Sequence, residues 1–276
     1  MMSPSGTFSS LTTLPGTNAT GGGMAFDSSG NLYVADSYNN QIDKIAPGGS
    51  ASVLLNLTSA GFSAAGPNGL VFSGGNLYVA GYYDNKVLKI TLGATPSVTT
   101  FATLPAGSAP TYLAVDGSGN IYASDSNSGN ISEISANGSS VTTFVSLGSS
   151  AGPNGLAFDS SGNLYVAVAS SQEIDKFSST GASLGTFGAN PFPGDGAFSD
   201  LVFDPNGNLY GSIPGIDDIV EFPPSGASST NYFNQYPAFV GSLAFAPTPE
   251  PDSAALLVLG AGALLGCRRR RWTGKL

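Results

Sequence analysis

Histidine is absent from the 276 residues, and Cys267 is the single cysteine. Ser-His-Asp and Cys-His catalysis, His-ligated zinc, cysteine metal clusters and an intrachain disulfide framework are therefore excluded. Carboxylates, carboxamides and phenols remain for any chemistry. Two matching stretches, Gly66-Pro-Asn-Gly-Leu70 and Gly152-Pro-Asn-Gly-Leu156, carry Asn68 and Asn154 between glycines. Tyr38, Tyr82, Asp84 and Asp125 lie in short polar segments that follow apolar runs. Aromatic rings beside Asn and Asp suit a sugar, because the ring covers the apolar face of the saccharide while amide and carboxylate bond its hydroxyls. The same rings also suit packing between neighbouring elements. A third pattern is Asp-x-x-Gly-Asn, at Asp27 to Asn31, Asp116 to Asn120, Asp159 to Asn163 and Asp204 to Asn208. Calcium needs six or more oxygens, and one carboxylate per segment falls short. These segments read as turns in which Asp accepts nearby backbone N–H groups and Gly supplies positive φ.

The elements that position these residues come from an internal repeat. One phrase recurs from Met24 to Asp36, Leu70 to Gly81, Leu113 to Asp125, Leu156 to Val168 and Leu201 to Ser212, and a sixth copy starts at Leu243-Ala-Phe245. Its anchors Phe26, Phe72, Val115, Phe158, Phe203 and Phe245 are spaced by 46, 43, 43, 45 and 42 residues. A near-constant period of this length predicts a radial or stacked repeat. Each period holds four short apolar runs separated by turn residues, the content of one β-propeller blade. The predicted fold class is all-β: a propeller of five full blades plus an incomplete sixth, followed by a short C-terminal apolar helix. The predicted repeats lie near 24–57, 69–104, 112–147, 155–187 and 200–234, with 242–246 and 5–11 as parts of the sixth, inside a domain spanning 1–246. Antiparallel connectivity puts the loops leading into each innermost strand and the second polar tip of each blade on one face. Asn68, Asn154, Tyr38, Tyr82, Asp84 and Asp125 are expected there as the ligand-binding face.

Charge divides the chain. Residues 1–248 hold 16 acidic and 4 basic residues, net −12, whereas residues 249–276 hold 5 basic and 2 acidic, net +3. The acidic body excludes a nucleic-acid partner, which needs a Lys/Arg footprint. The tail comprises a Pro-rich linker, 247–253, and residues 254–276, where an apolar run from Ala254 to Gly266 precedes Arg268 to Arg271. As a helix that run spans about 20 Å, short of a bilayer core of ~30 Å.

The segment Leu32-Tyr-Val-Ala-Asp-Ser-Tyr-Asn-Asn-Gln-Ile-Asp-Lys-Ile45 resembles the NHL repeat, and the later copies resemble it progressively less. The resemblance implies a propeller, usually six-bladed. Pro249-Glu-Pro251, the apolar run, and Arg268, Arg269, Arg270 and Arg271 together resemble a PEP-CTERM sorting signal. That resemblance implies export, transient membrane insertion through the C-terminal helix, and an exosortase-type membrane enzyme as a processing partner. It also implies an N-terminal signal peptide, which Met1 to Phe8 lacks. The expectation is that the natural chain begins upstream of Met1 and that the missing residues complete the sixth blade. Gly-Pro-Asn-Gly-Leu is similar to a phrase in gluconolactonase-type propellers, where the Asn binds a central divalent cation with acidic residues from other blades. The equivalent positions here are Gly22, Asn68, Thr111, Asn154, Ser199 and Gly241, with no carboxylate among them. If a Ca or Zn ion were held, Asn68, Asn154 and Asp200 would hold it. Virginiamycin lyase-type propellers match less well, because their chemistry uses a histidine. The sequence thus reads as a non-enzymatic, exported cell-surface or extracellular propeller without a cofactor, binding an exopolysaccharide or a surface protein. The alternative reading is a gluconolactonase-like metal-dependent hydrolase.

Overall fold

The structure is a computed structural model whose described residues are 9–16, 21–63, 65–226, 230–231 and 241–245, with the backbone of 255–260 and 263–268. Five blades of four antiparallel strands follow one another along the chain. The first comprises Gly21–Phe26, Leu32–Asp36, Gln41–Ile45 and Ala51–Asn56. The second comprises Pro67–Ser73, Asn76–Gly81, Lys86–Thr91 and Ser97–Thr103. The third comprises Pro110–Val115, Ile121–Asp125, Asn130–Ile134 and Val141–Ser146. The fourth comprises Pro153–Phe158, Leu164–Val168, Glu173–Phe177 and Ser183–Ala189. The fifth comprises Leu201–Phe203, Leu209–Ile213, Asp218–Phe222 and Thr230–Asn231.

Blade packing explains why strict alternation fails in the sequence. The second strand of each blade is buried along its length, Asn76 at the start of one excepted, because both faces of the blade meet a neighbour, whereas the outermost strands are largely exposed. The repeated tyrosine fills the seam between blades. Tyr122 meets Phe144 of its own blade at 5.0 Å and Phe158 of the next at 4.9 Å, both edge-on. Tyr165 does the same with Phe187 and Phe203, at 4.8 and 5.0 Å. Edge-to-face pairs at this spacing each add about 0.5–1.5 kcal/mol beyond the area they bury.

The first turn of each blade is held from within. Asp27 accepts the N–H groups of Ser29 and Asn31 on Oδ1, both at 2.9 Å. Its Oδ2 accepts Asn31 Nδ2 at 2.7 Å and the Tyr33 hydroxyl at 3.0 Å. Asp116 and Asp159 repeat the set, and Asp204 repeats the backbone and Asn208 bonds. The second acceptor bond reaches four residues on, which closes the five-residue turn around Gly30, φ 78°. The second polar tip works between blades. Asn40, at φ 51°, accepts Gly66 N–H from the second blade, and Asn85, at φ 53°, accepts Ala109 N–H from the third.

A further four-stranded sheet joins the two ends of the chain, in the order Ser242–Phe245, Ala255–Gly260, Ala263–Arg268 and Ser9–Thr12. The helix expected over Ala254 to Gly266 is not found: Ala255 pairs with Arg268 and Gly260 with Ala263 in an antiparallel hairpin. The reason is the unpaired backbone edge of Ser242–Phe245 and of Ser9–Thr12, which an apolar run that suits a doubly covered strand satisfies. No helix among the described residues is long and apolar enough to cross a membrane. Residues 5–8, Pro249, Glu250, Pro251, Arg269, Arg270 and Arg271 lie outside the described residues.

Candidate functional site

The innermost strands run side by side around the axis, and glycine sets their separation. A Cβ on Gly23 would lie 2.5 Å from Leu70 N, one on Gly69 2.6 Å from Tyr112 Cα, and one on Gly155 2.6 Å from Leu201 N. These positions therefore bring backbone against backbone, one residue beyond Gly22, Asn68 and Asn154. At the same level the other three innermost strands carry Tyr112, Asp200 and Ser242.

Tyr112 crosses the axis. Its hydroxyl lies 2.8 Å from Ser199 Oγ of the fifth blade and donates to Gly241 O at 3.3 Å, beside the sheet made by the chain ends. Burial, and then the nearby Asp200 carboxylate, push the phenol far above its ordinary range, so it stays a hydroxyl. Asp200 is equally committed. Its Oδ2 accepts Ser242 Oγ at 2.7 Å and Leu243 N–H at 2.9 Å, while Oδ1 accepts Leu201 N–H at 2.8 Å. Burial raises its pKa to about 6, against the pull of those three donors.

Beneath this layer a cavity of about 690 Å³ opens on the opposite face, walled by Met24, Leu70, Leu113, Leu156, Leu201 and Leu243. Tyr112 and Asp200 form its floor. It is an apolar funnel with Asp27, Ser28 and Asp204 at its rim, and among the described residues it carries no paired acid and base. The mouth on the loop face and this funnel are thus separated by one layer of hydrogen-bonded side chains.

Of the residues singled out from the sequence, Asn68 and Asn154 stand at the mouth, on the second and fourth blades. Asn154 Nδ2 donates to Phe198 O at 3.3 Å. Asp200 lies one layer deeper, directed at Ser242 and Leu243 rather than at those asparagines. Tyr38 is 61 % exposed at the tip of the first blade. Tyr82 is half-buried edge-on to Tyr83, at 5.0 Å between centroids, and Tyr83 is 72 % exposed. Asp84 pairs with Lys86 at 3.5 Å; burial raises its pKa and the lysine opposes that. Asp125 is 1 % exposed, with Oδ2 accepting Ser132 Oγ at 2.6 Å, so it faces the protein interior. The outer tips and the mouth are therefore two separate groups. Tyr112 was not singled out from the sequence. Its signal is present in the aligned repeats, where one bulky residue stands in a column of Gly, Gly, Gly, Asp and Ser.

A divalent cation at the mouth needs hard anionic oxygens. The residues at this level supply two carboxamides and two hydroxyls, and the nearest carboxylate has both oxygens engaged. Among the described residues no three His, Cys, Asp or Glu side chains converge. The mouth does not fit such an ion.

Residues 22–44 match the NHL repeat family. No curated protein sequence matches the chain. Among solved structures, a gluconolactonase from Xanthomonas campestris is 18 % identical at TM-score 0.74, covering 95 % of this chain and 89 % of its own. Virginiamycin B lyase from Staphylococcus aureus, solved with Quinupristin, is 17 % identical at TM-score 0.72, covering 94 % and 83 %. A calcium-binding regucalcin from Agrobacterium tumefaciens is 16 % identical at TM-score 0.72, covering 96 % of each chain. These likenesses establish the propeller fold, shared by proteins of different activities.

Proposed function

We propose that this chain is a non-catalytic binding propeller that engages an envelope polysaccharide or a surface protein through its loop face. One observation carries the reading: Tyr112 closes the axis by bonding to Ser199 and Gly241, leaving no open, acid-lined centre at the mouth among the described residues. The exposed rings of Tyr38 and Tyr83 on the rigid blade tips then offer the surface for a saccharide or a peptide. Retention on immobilised exopolysaccharide tests this. Tyr38→Ala and Tyr83→Ala are each expected to weaken retention about fivefold, the loss of roughly 1 kcal/mol of ring contact. Unchanged retention in both variants refutes the reading.

The tail fits export. Pro249, Glu250, Pro251 and the four arginines support processing by an exosortase-type enzyme in a cell envelope. In this reading the hairpin of Ala255–Gly260 and Ala263–Arg268 leaves its sheet and turns helical on entering the membrane, where the arginines hold its end on the cytoplasmic side. A second reading, a gluconolactonase-like hydrolase, draws support from the shared fold and from Asn68 and Asn154 at the mouth. It requires carboxylates that the described mouth lacks.

A further inference from the structure

The funnel beneath Tyr112 combines apolar walls with an acidic edge. Toward its opening the walls are the half-buried side chains of Phe26, Val115, Phe158, Phe203 and Phe245. Asp27 and Asp204 stand at the edge, and among the described residues no lysine or arginine lines the funnel. Burial opposes ionisation of Asp27, but the donors of its own turn, the Asn31 side chain first, outweigh it and hold the carboxyl below its usual range. Apolar walls of about 690 Å³ under fixed negative charge suit a large aromatic group flanked by cations.

The chain itself brings such a group to this face. Phe245, on the funnel wall, pairs with Leu256, and the neighbouring Ala255 pairs with Arg268. The backbone of Arg268 therefore stands at the funnel end of the chain-end sheet, two strand spacings, about 10 Å, from the innermost strand. The residues that follow it are Arg269, Arg270, Arg271, Trp272, Thr273, Gly274, Lys275 and Leu276, and Trp272 is the single tryptophan of the chain. Four residues of extended chain reach about 13–14 Å, enough to bring the indole to the opening. Cations precede and follow that indole, matching an edge that carries carboxylates.

We propose that residues 269–276 dock on this funnel, with the Trp272 indole between the phenylalanine rings and the arginines against Asp27 and Asp204. The occupant is a segment of the same chain. Docked there, it closes the axis from the turn face, leaves the loop face free, and keeps the basic end of the tail against the propeller until another surface draws it away. Docking at this site does not depend on later processing of the tail.

Trp272 fluorescence in the full chain tests the site, because this indole is the only one present. Expected are emission to the blue of a synthetic peptide of residues 269–276 and acrylamide quenching about tenfold weaker, as for a docked state favoured roughly tenfold. Val202→Lys puts an ammonium on the half-buried funnel wall. A triple variant, Arg269→Glu, Arg270→Glu and Arg271→Glu, reverses the charge of the tail without touching the propeller. Both are expected to give the emission and quenching of the peptide, whereas Asn154→Ala on the opposite face keeps those of the parent. A parent that quenches like the peptide, protection that survives in either the Val202 or the triple variant, or loss of protection in Asn154→Ala each overturns the proposal. So does protection that grows with protein concentration, which would place the tail on a second copy. The triple variant decides the matter if Val202→Lys fails to fold.

Discussion

Replacing Tyr112 by Phe removes one oxygen and leaves the ring in place. The hydroxyl holds a 2.8 Å bond with Ser199 Oγ and donates to Gly241 O at 3.3 Å, in a layer sealed from solvent. Each such bond contributes on the order of 1 kcal/mol net, and stranding a buried partner adds to the loss. Ser199 can turn to water at the mouth, whereas Gly241 O retains Ser212 Oγ at 3.4 Å, so the expected loss is about 1–2 kcal/mol. For a chain of this length 1 kcal/mol moves Tm by ~2–4 °C, giving a fall of roughly 2–8 °C. Tyr112→Gly restores the residue found at this level in three other blades and opens the layer between mouth and funnel. Its expected loss is larger, about 3–5 kcal/mol, because an aromatic side chain leaves a cavity behind. Differential scanning calorimetry and urea titration measure both. A Tyr112→Phe protein that unfolds with the parent refutes the bridge across the axis. So does a Tyr112→Gly protein that is no less stable than Tyr112→Phe.

Three further outcomes follow from the same geometry. Ala109 sits at φ 52° where the second and fourth blades have Gly66 and Gly152 at φ 54° and 60°, so Ala109→Gly is expected to stabilise by about 0.5–1 kcal/mol in urea titration. Asp43, Asp125 and Asp200 have folded pKa values of about 7, 6 and 6, above the ordinary 3.8. The folded state therefore keeps protons that the unfolded chain has released. Their contribution to stability is complete below about pH 4 and is lost as pH rises through 6 to 7. Tm at pH 5 is expected to exceed Tm at pH 8, and Asp125→Asn is expected to narrow that gap. Ending the chain at residue 253 removes the two middle strands of the chain-end sheet and exposes the edge of Ser242–Phe245. A lower Tm and self-association in sedimentation velocity are expected.

What the sequence made legible was local. The Asp27-type turns and the left-handed glycines are decided within five residues, so their chemistry stands in the repeat itself. The five blades followed from spacing, and the failed alternation of strands such as Gln41–Ile45 followed from burial on both faces. At Asp27 the carboxylate reaches four residues on and closes the turn on Asn31. The tail was harder: an apolar run such as Ala263–Arg268 suits a helix or a covered strand equally, and the choice is made by partners more than 200 residues away at Ser9–Thr12. Site residues split along the same line. Asn68 and Asn154 stand at the mouth because the repeat fixes their register. Asp125 turns inward, since its neighbour Ser132 and the adjoining blade decide its surroundings. Tyr112 and Asp200 gain their roles from contacts across blades, which periodicity locates without showing what they touch.

The most direct test of the central claim is hydrolysis of δ-gluconolactone by the purified chain, with and without added Ca2+ or Zn2+. A closed, carboxylate-poor mouth predicts rates equal to buffer under every condition. Metal-dependent turnover that disappears in Asn154→Ala would contradict it and establish the axis as a catalytic centre.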